Sequence, residues 1–197
     1  MVIVGILIGL SVPAVTSLMS SSGVSAASRE VGNMLGLARQ VAITQRTYAR
    51  VVFPYSGTGI HPEMWYQTYA VMTNRNNSLA TGWTYMTKWE YLPLGAVFPQ
   101  TIPGGGLGAL NDPNSLSEAT LPFPIPANPN NTAPLVYIEF GPTGAATALT
   151  SGSGSALAIT KGFTAANTGV VTPTAFVNSS NTLIGVDTLV GRIQVVQ

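Results

Sequence analysis

The chain opens MVIVGILIGLSVPAVTSLM, nineteen residues without a charge, and its first charged side chain is Arg29. Coiled as an α-helix, such a run spans roughly 28 Å, about one bilayer core. A stalk of that character must live in a bilayer or in a bundle of its own copies. No Lys or Arg precedes it. That disfavours a secretory signal, which opens with a basic n-region, and a simple anchor, which has a basic cytoplasmic flank.

The segment that follows changes character without an intervening loop. Apolar residues recur at Val24, Ala27, Val31, Met34, Leu35, Ala38, Val41 and Ala42, with Ser28, Arg29, Arg39 and Gln40 off the stripe. This is the spacing of an amphipathic helix that packs on a domain. The two segments together predict one helix of about 45 residues, ending near Thr47, long for a globular protein. Gly9 and Pro13 are expected to bend or locally unwind its front half, because proline lacks the amide proton and clashes with the preceding turn. The organisation expected is an apolar stalk over 1–23 and a globular domain over 24–197, with its amphipathic helix over 24–47 and its sheet over 48–197.

The rest of the chain bounds the chemistry. At 197 residues it is sized for one domain, and a 46% hydrophobic content is enough to bury a core. Eight Lys and Arg against seven Asp and Glu leave a net charge of +1, too little for a basic nucleic-acid surface. The chain has no cysteine and one histidine, so disulfides and thiolate metal sites are excluded and a histidine-based metal site or triad is disfavoured. From Tyr48 the pattern is that of strands: Tyr48–Phe53, Trp65–Met72, Thr84–Leu92, Leu135–Phe140, Ser155–Thr160, and a terminal hairpin of Thr182–Val186 against Leu189–Val196. The proline- and glycine-rich stretch from Pro99 to Pro134 reads as a long loop with one helical turn near Ser115–Ala119. The fold class expected is α+β, a long N-terminal helix packed on an antiparallel sheet.

Three features carry a resemblance to a known family. They are the uncharged run Val2–Leu10 leading to Ser11–Ala14, the continuation Ala38–Arg46 followed directly by a strand, and two short motifs, Phe140–Gly144 and Thr188–Val195. In these the chain resembles the type IV pilin and type II secretion pseudopilin superfamily, with the H-type minor pseudopilin and its pilus relatives most similar. It departs from that family at its start: aligned on Pro13, Met1 falls inside the mature helix, downstream of the glutamate and cleavage site that pilins carry. The resemblance implies a structural subunit of an extracellular filament, made from an inner-membrane precursor. Its partners would be copies of itself, a prepilin peptidase and an inner-membrane assembly platform. The filament core would be packed by Val2, Ile3, Ile6, Leu7, Leu10, Val15 and Leu18. A minor subunit at the tip of a secretion pseudopilus is the alternative role.

Other candidate sites are weaker. His61, between Ile60 and Pro62, reads as a loop histidine with no second histidine to support it. The seven acids show no calcium-loop spacing. Gly104–Gly108 lacks the Lys-Ser/Thr of a phosphate loop, and Ser153 and Ser155 have no base near them in sequence. No catalytic residue, metal site or cofactor is expected, and no nucleic-acid partner. Arg192 is expected to pair with Glu139 or a neighbouring subunit. Asn76, Asn130 and Asn178 stand in N-x-[ST] sequons and are candidates for glycan attachment. The rival from another class is a membrane-anchored carbohydrate- or peptide-binding domain that uses Trp65, Tyr66, Trp83 and Trp89. Aromatic residues at that density more often fill a sheet core.

Overall fold

A computed structural model describes residues 2–55, 60–74, 82–100, 108, 110, 116–124, 130–146, 155–164, 171–173 and 182–196, without the side chains of 2–22, 155, 163, 171–173 and 196. One helix, α1 (Val2–Gln45), comes first. The strands are β1 (Tyr48–Pro54), β2 (Thr68–Asn74), β3 (Trp83–Tyr85), β4 (Glu90–Tyr91), β5 (Ala96–Val97), β6 (Ser117–Pro122), β7 (Thr132–Phe140), β8 (Ser155–Thr164), β9 (Val171–Pro173), β10 (Thr182–Val186) and β11 (Ile193–Val196).

The strands form two antiparallel sheets. The first runs β3-β2-β1-β7-β6, with β4 also on β2; the second runs β11-β10-β8-β5, with β9 on β8. The first sheet is apolar on both faces because β1, β2 and β7 place hydrophobic residues at successive positions. Ala49, Val51, Phe53, Tyr69, Val71, Val136, Ile138 and Phe140 fall into one core with the helix and with Leu157, Ile159, Ile184 and Val186 of the second sheet. Val52, Ala70, Met72, Leu135 and Tyr137 point the other way, into a second core with Trp83, Leu121 and Phe123.

That second core exists because the first sheet curls. Its two outermost strands are joined by the Tyr85 hydroxyl, which donates to the Pro122 carbonyl at 2.6 Å. Tyr85, Trp89 and Phe123 bridge the same gap ring to ring, at 5.5 and 5.3 Å between centroids. The curl gives an antiparallel half-barrel with an interior of its own.

The α+β expectation is therefore corrected. Among the described residues one α-helix stands beside eleven strands in two antiparallel sheets, the first of them curled, so the protein is mostly β. A flat sheet needs a helix to cover its apolar face; a curled one covers part of that face with itself. The stretch expected as a loop over 99–134 holds β6 and the start of β7, paired in register from Ser117↔Tyr137 to Pro122↔Thr132. Pro122 is accommodated because β6 is an edge strand and needs few outward amide donors, and Pro134 because it lies in β7 one residue beyond the pairing with β1, which ends at Pro54↔Leu135. The helical turn expected near Ser115–Ala119 is replaced by the start of β6. The third expected strand is two short ones, β3 and β4, and Trp65 lies ahead of β2 rather than in it.

The helix ends at Gln45, two residues before the end expected near Thr47. Arg46 adopts φ 49°, the Arg46 amide donates to the Ile43 carbonyl, and the Thr47 amide donates back to Ala42 at 3.1 Å. This pair of reversed bonds closes the last turn and aims the chain into β1. The Thr47 hydroxyl then donates to the Asn74 carbonyl at the far end of β2.

Candidate functional site

The helix is the element on which the other candidate features converge. Val24, Ala27, Val31, Leu35, Ala38, Val41 and Ala42 are buried, and Met34 is partly buried against the same core. The small side chains among them let the helix axis lie close to the strands. At Gly23 the helix lies close against the body, where a Cβ would stand 2.6 Å from the Leu94 carbonyl oxygen in the β4–β5 turn. The filament-core set Val2, Ile3, Ile6, Leu7, Leu10, Val15 and Leu18 belongs to α1, but its side chains lie outside the described residues. Gly9 and Pro13 fall within the same helical element, Val2–Gln45.

At the other end of the body, two motifs remote in sequence meet the helix. The turn after β7 brings the Gly144 carbonyl to the Arg39 Nε, 3.3 Å away. Gly144 has φ +81°, and a Cβ there would lie 2.6 Å from Ile43 Cδ1. The turn joining β10 and β11 presses on this pair: Gly191 has φ +63°, and a Cβ there would lie 1.9 Å from the Gly144 oxygen. Only glycine fits this approach. The Phe140–Gly144 and Thr188–Arg192 segments are thus one structural feature, built around Arg39.

The β10–β11 turn is pinned from within. The Asp187 carboxylate accepts from the Leu189 amide at 2.8 Å and the Val190 amide at 3.2 Å. The Gly191 amide donates to the Asp187 carbonyl, and the Asp187 amide donates to the Arg192 carbonyl. Leu189 and Val190 at its tip are 85% and 53% exposed, with Ile43 and Val195 also exposed.

The buried ion pair is not the Arg192–Glu139 pair that is one of the two expectations for Arg192. Glu139 pairs with Arg50, not Arg192: Arg50 Nε lies 2.6 Å from Glu139 Oε2, and both side chains are about 95% buried. The two residues face each other across β1 and β7. The guanidinium is sandwiched between the rings of Trp83 and Tyr137, 3.9 Å from each centroid. A charge in the middle of each of two apolar strands, Tyr48–Phe53 and Leu135–Phe140, was the sequence signal for this pair.

The remaining candidates are placed as follows. His61 is exposed, with Nδ1 3.0 Å from Glu63 Oε1. Asn130 is exposed in the β6–β7 connection, while Asn76 and Asn178 lie outside the described residues, as do Gly104–Gly106 and the Ser153 loop. Tyr66 and Trp83 are buried, and Trp65 and Trp89 pack against the cores. The aromatic set therefore lies in or against the two cores. Four tyrosine hydroxyls titrate above their ordinary value. Burial is the main cause for Tyr55, Tyr69, Tyr85 and Tyr137, with added repulsion from Glu118 at Tyr55 and from Glu30 and Glu90 at Tyr69. Glu30 of the helix and Glu90 of β4 thus meet at the Tyr69 hydroxyl, which lies 3.4 Å from Glu90 Oε2.

Among the described residues no group of three or more His, Cys, Asp and Glu could hold a metal ion. Among the same residues no helix is long and apolar enough to cross a membrane. No protein-family model matches the chain, and neither curated proteins nor solved structures give a match.

Proposed function

We propose that the chain is a structural subunit that polymerises through its N-terminal helix into an extracellular filament of the type IV pilus or pseudopilus kind. The observation that carries this reading is that one helix joins a charge-free segment to a segment embedded in the body. At 1.5 Å per residue, the residues ahead of Gly23 would add roughly 30 Å of helix. Burying the seven large apolar side chains between Val2 and Leu18 among neighbouring copies would contribute on the order of 10–20 kcal/mol per subunit as an upper bound, at about 1.5–3 kcal/mol each. A bilayer hides the same side chains, so it serves as the store from which subunits are drawn by an assembly platform after processing. The low charge of the whole chain suits a surface that remains against copies of itself. A minor role at a filament tip uses the same helix and differs only in copy number.

The test is peptide mass spectrometry and electron microscopy of material sheared from the cell surface. The protein is expected in filaments, in amounts that fall to background when residues 2–22 are deleted while the body stays folded. Recovery only from the membrane fraction, with no filament, overturns the reading.

A further inference from the structure

We propose that the body docks end to end on a second copy of itself, the Leu189–Val190 turn of one copy seating against Leu94 and Tyr91 of the next. The inference deepens the filament reading and rests on it for the partner's identity. Leu94, 96% exposed, and Tyr91, 54% exposed, stand where α1 meets the body; Leu189 and Val190 stand where it leaves. Between Gly23 and Ile43 the helix rises roughly 30 Å, so the two apolar tips of one molecule cannot reach each other. A contact between unlike ends of two copies is heterologous, and wherever its rotation does not close a ring it repeats as a filament.

The turn is suited to docking because it is already ordered. Asp187 holds the amides of Leu189 and Val190, and Gly191 is wedged on the Gly144 carbonyl, so little backbone freedom remains to be lost on contact. Charge decides which end it meets. Arg39 and Arg192 flank the turn and Arg46 follows Ile43 by three residues, with Asp187 the acid among them. Two such ends face to face would gather six arginines. The opposite end holds Glu30 and Glu90 at Tyr69, with Arg29 and Lys88 nearby in sequence, and carries no cationic excess. Head-to-tail pairing is the arrangement that avoids like charge.

The absence of cysteine makes the test direct. The full chain carrying both Leu94→Cys and Leu189→Cys is oxidised and run without reductant. It is expected to give a ladder beyond the dimer, several-fold faster than a control pairing Leu189→Cys with Thr120→Cys on exposed β6. Circular dichroism before oxidation shows that each variant is folded. Leu189→Cys alone forming dimers as fast as the double variant forms its ladder means a symmetric contact and overturns the proposal. Filaments of the double variant in which no cross-link forms on oxidation also overturn it, while leaving the polymer reading intact. A ladder without filaments upholds the end-to-end contact and counts against the polymer reading; no self-association of any kind removes both.

Discussion

The buried Arg50–Glu139 pair sets the largest single-residue sensitivity in the fold. Replacing Glu139 with Gln removes the carboxylate that stands 2.6 Å from a guanidinium exposed to only about 5%. Leaving a buried charge without its partner typically costs about 3–5 kcal/mol. The rings of Trp83 and Tyr137 still face the cation, and such contacts contribute up to about 2 kcal/mol when desolvated, which places the expected loss near 3 kcal/mol. Arg50→Met is expected to cost nearer 4 kcal/mol, since it strips the carboxylate of its guanidinium and the two rings of the contact between them. Against a stability of roughly 5–15 kcal/mol either loss is large. The double variant Arg50→Met/Glu139→Leu should recover most of it or exceed the parent, because two well-packed apolar residues carry no desolvation cost. Urea unfolding followed by tryptophan fluorescence reads all four corners of the cycle, with Trp83 beside the altered site. Single variants that each cost under about 1 kcal/mol, with no coupling, would show that water reaches the pair and refute the reasoning.

Two further outcomes follow from the geometry. Gly191→Ala places a methyl 1.9 Å from the Gly144 oxygen at a φ of +63°, so the Arg39 clamp must open; a loss of about 1–3 kcal/mol is expected in thermal melts, whereas Gly36→Ala, with open space around it, should cost nothing. Above pH 10 the protein should unfold progressively: Tyr69 and Tyr85 resist ionisation when folded but ionise near their ordinary value of 10.0 when unfolded, so the unfolded state holds fewer protons as pH rises and stability falls. Stability from these groups is complete below pH 10. Tyr69→Phe should shift the alkaline midpoint upward in a circular-dichroism titration, and an unchanged midpoint would count against burial as its cause.

Much of the fold could be read along the chain, but only where the information is local. The apolar stripe from Val24 to Ala42 follows from a period of 3.6, and the cores of β1, β7 and β10 follow from runs of branched and aromatic residues bounded by turn formers. The stretch over 99–134 misleads because its prolines argue against a strand, and only its place at a sheet edge makes β6 tolerable. The helix end misleads because the apolar stripe stops at Ala42 and does not mark the last turn, while Arg46 takes the left-handed conformation that usually goes to glycine.

By itself the sequence determines that the N-terminal segment is free of charge and that an apolar stripe of helical period follows it without an intervening loop, since both depend on the side chains of one contiguous segment. Tertiary structure alone decides that the protein is mostly β, because curling joins β3 to β6 through residues as distant as Tyr85 and Pro122. It also decides that Glu139 meets Arg50 rather than Arg192, and that Gly191 rests on Gly144. Those partners lie 89 and 47 positions apart. Which strand lies beside which is set by the total apolar area that one arrangement buries, a sum over the whole chain that no local pattern contains.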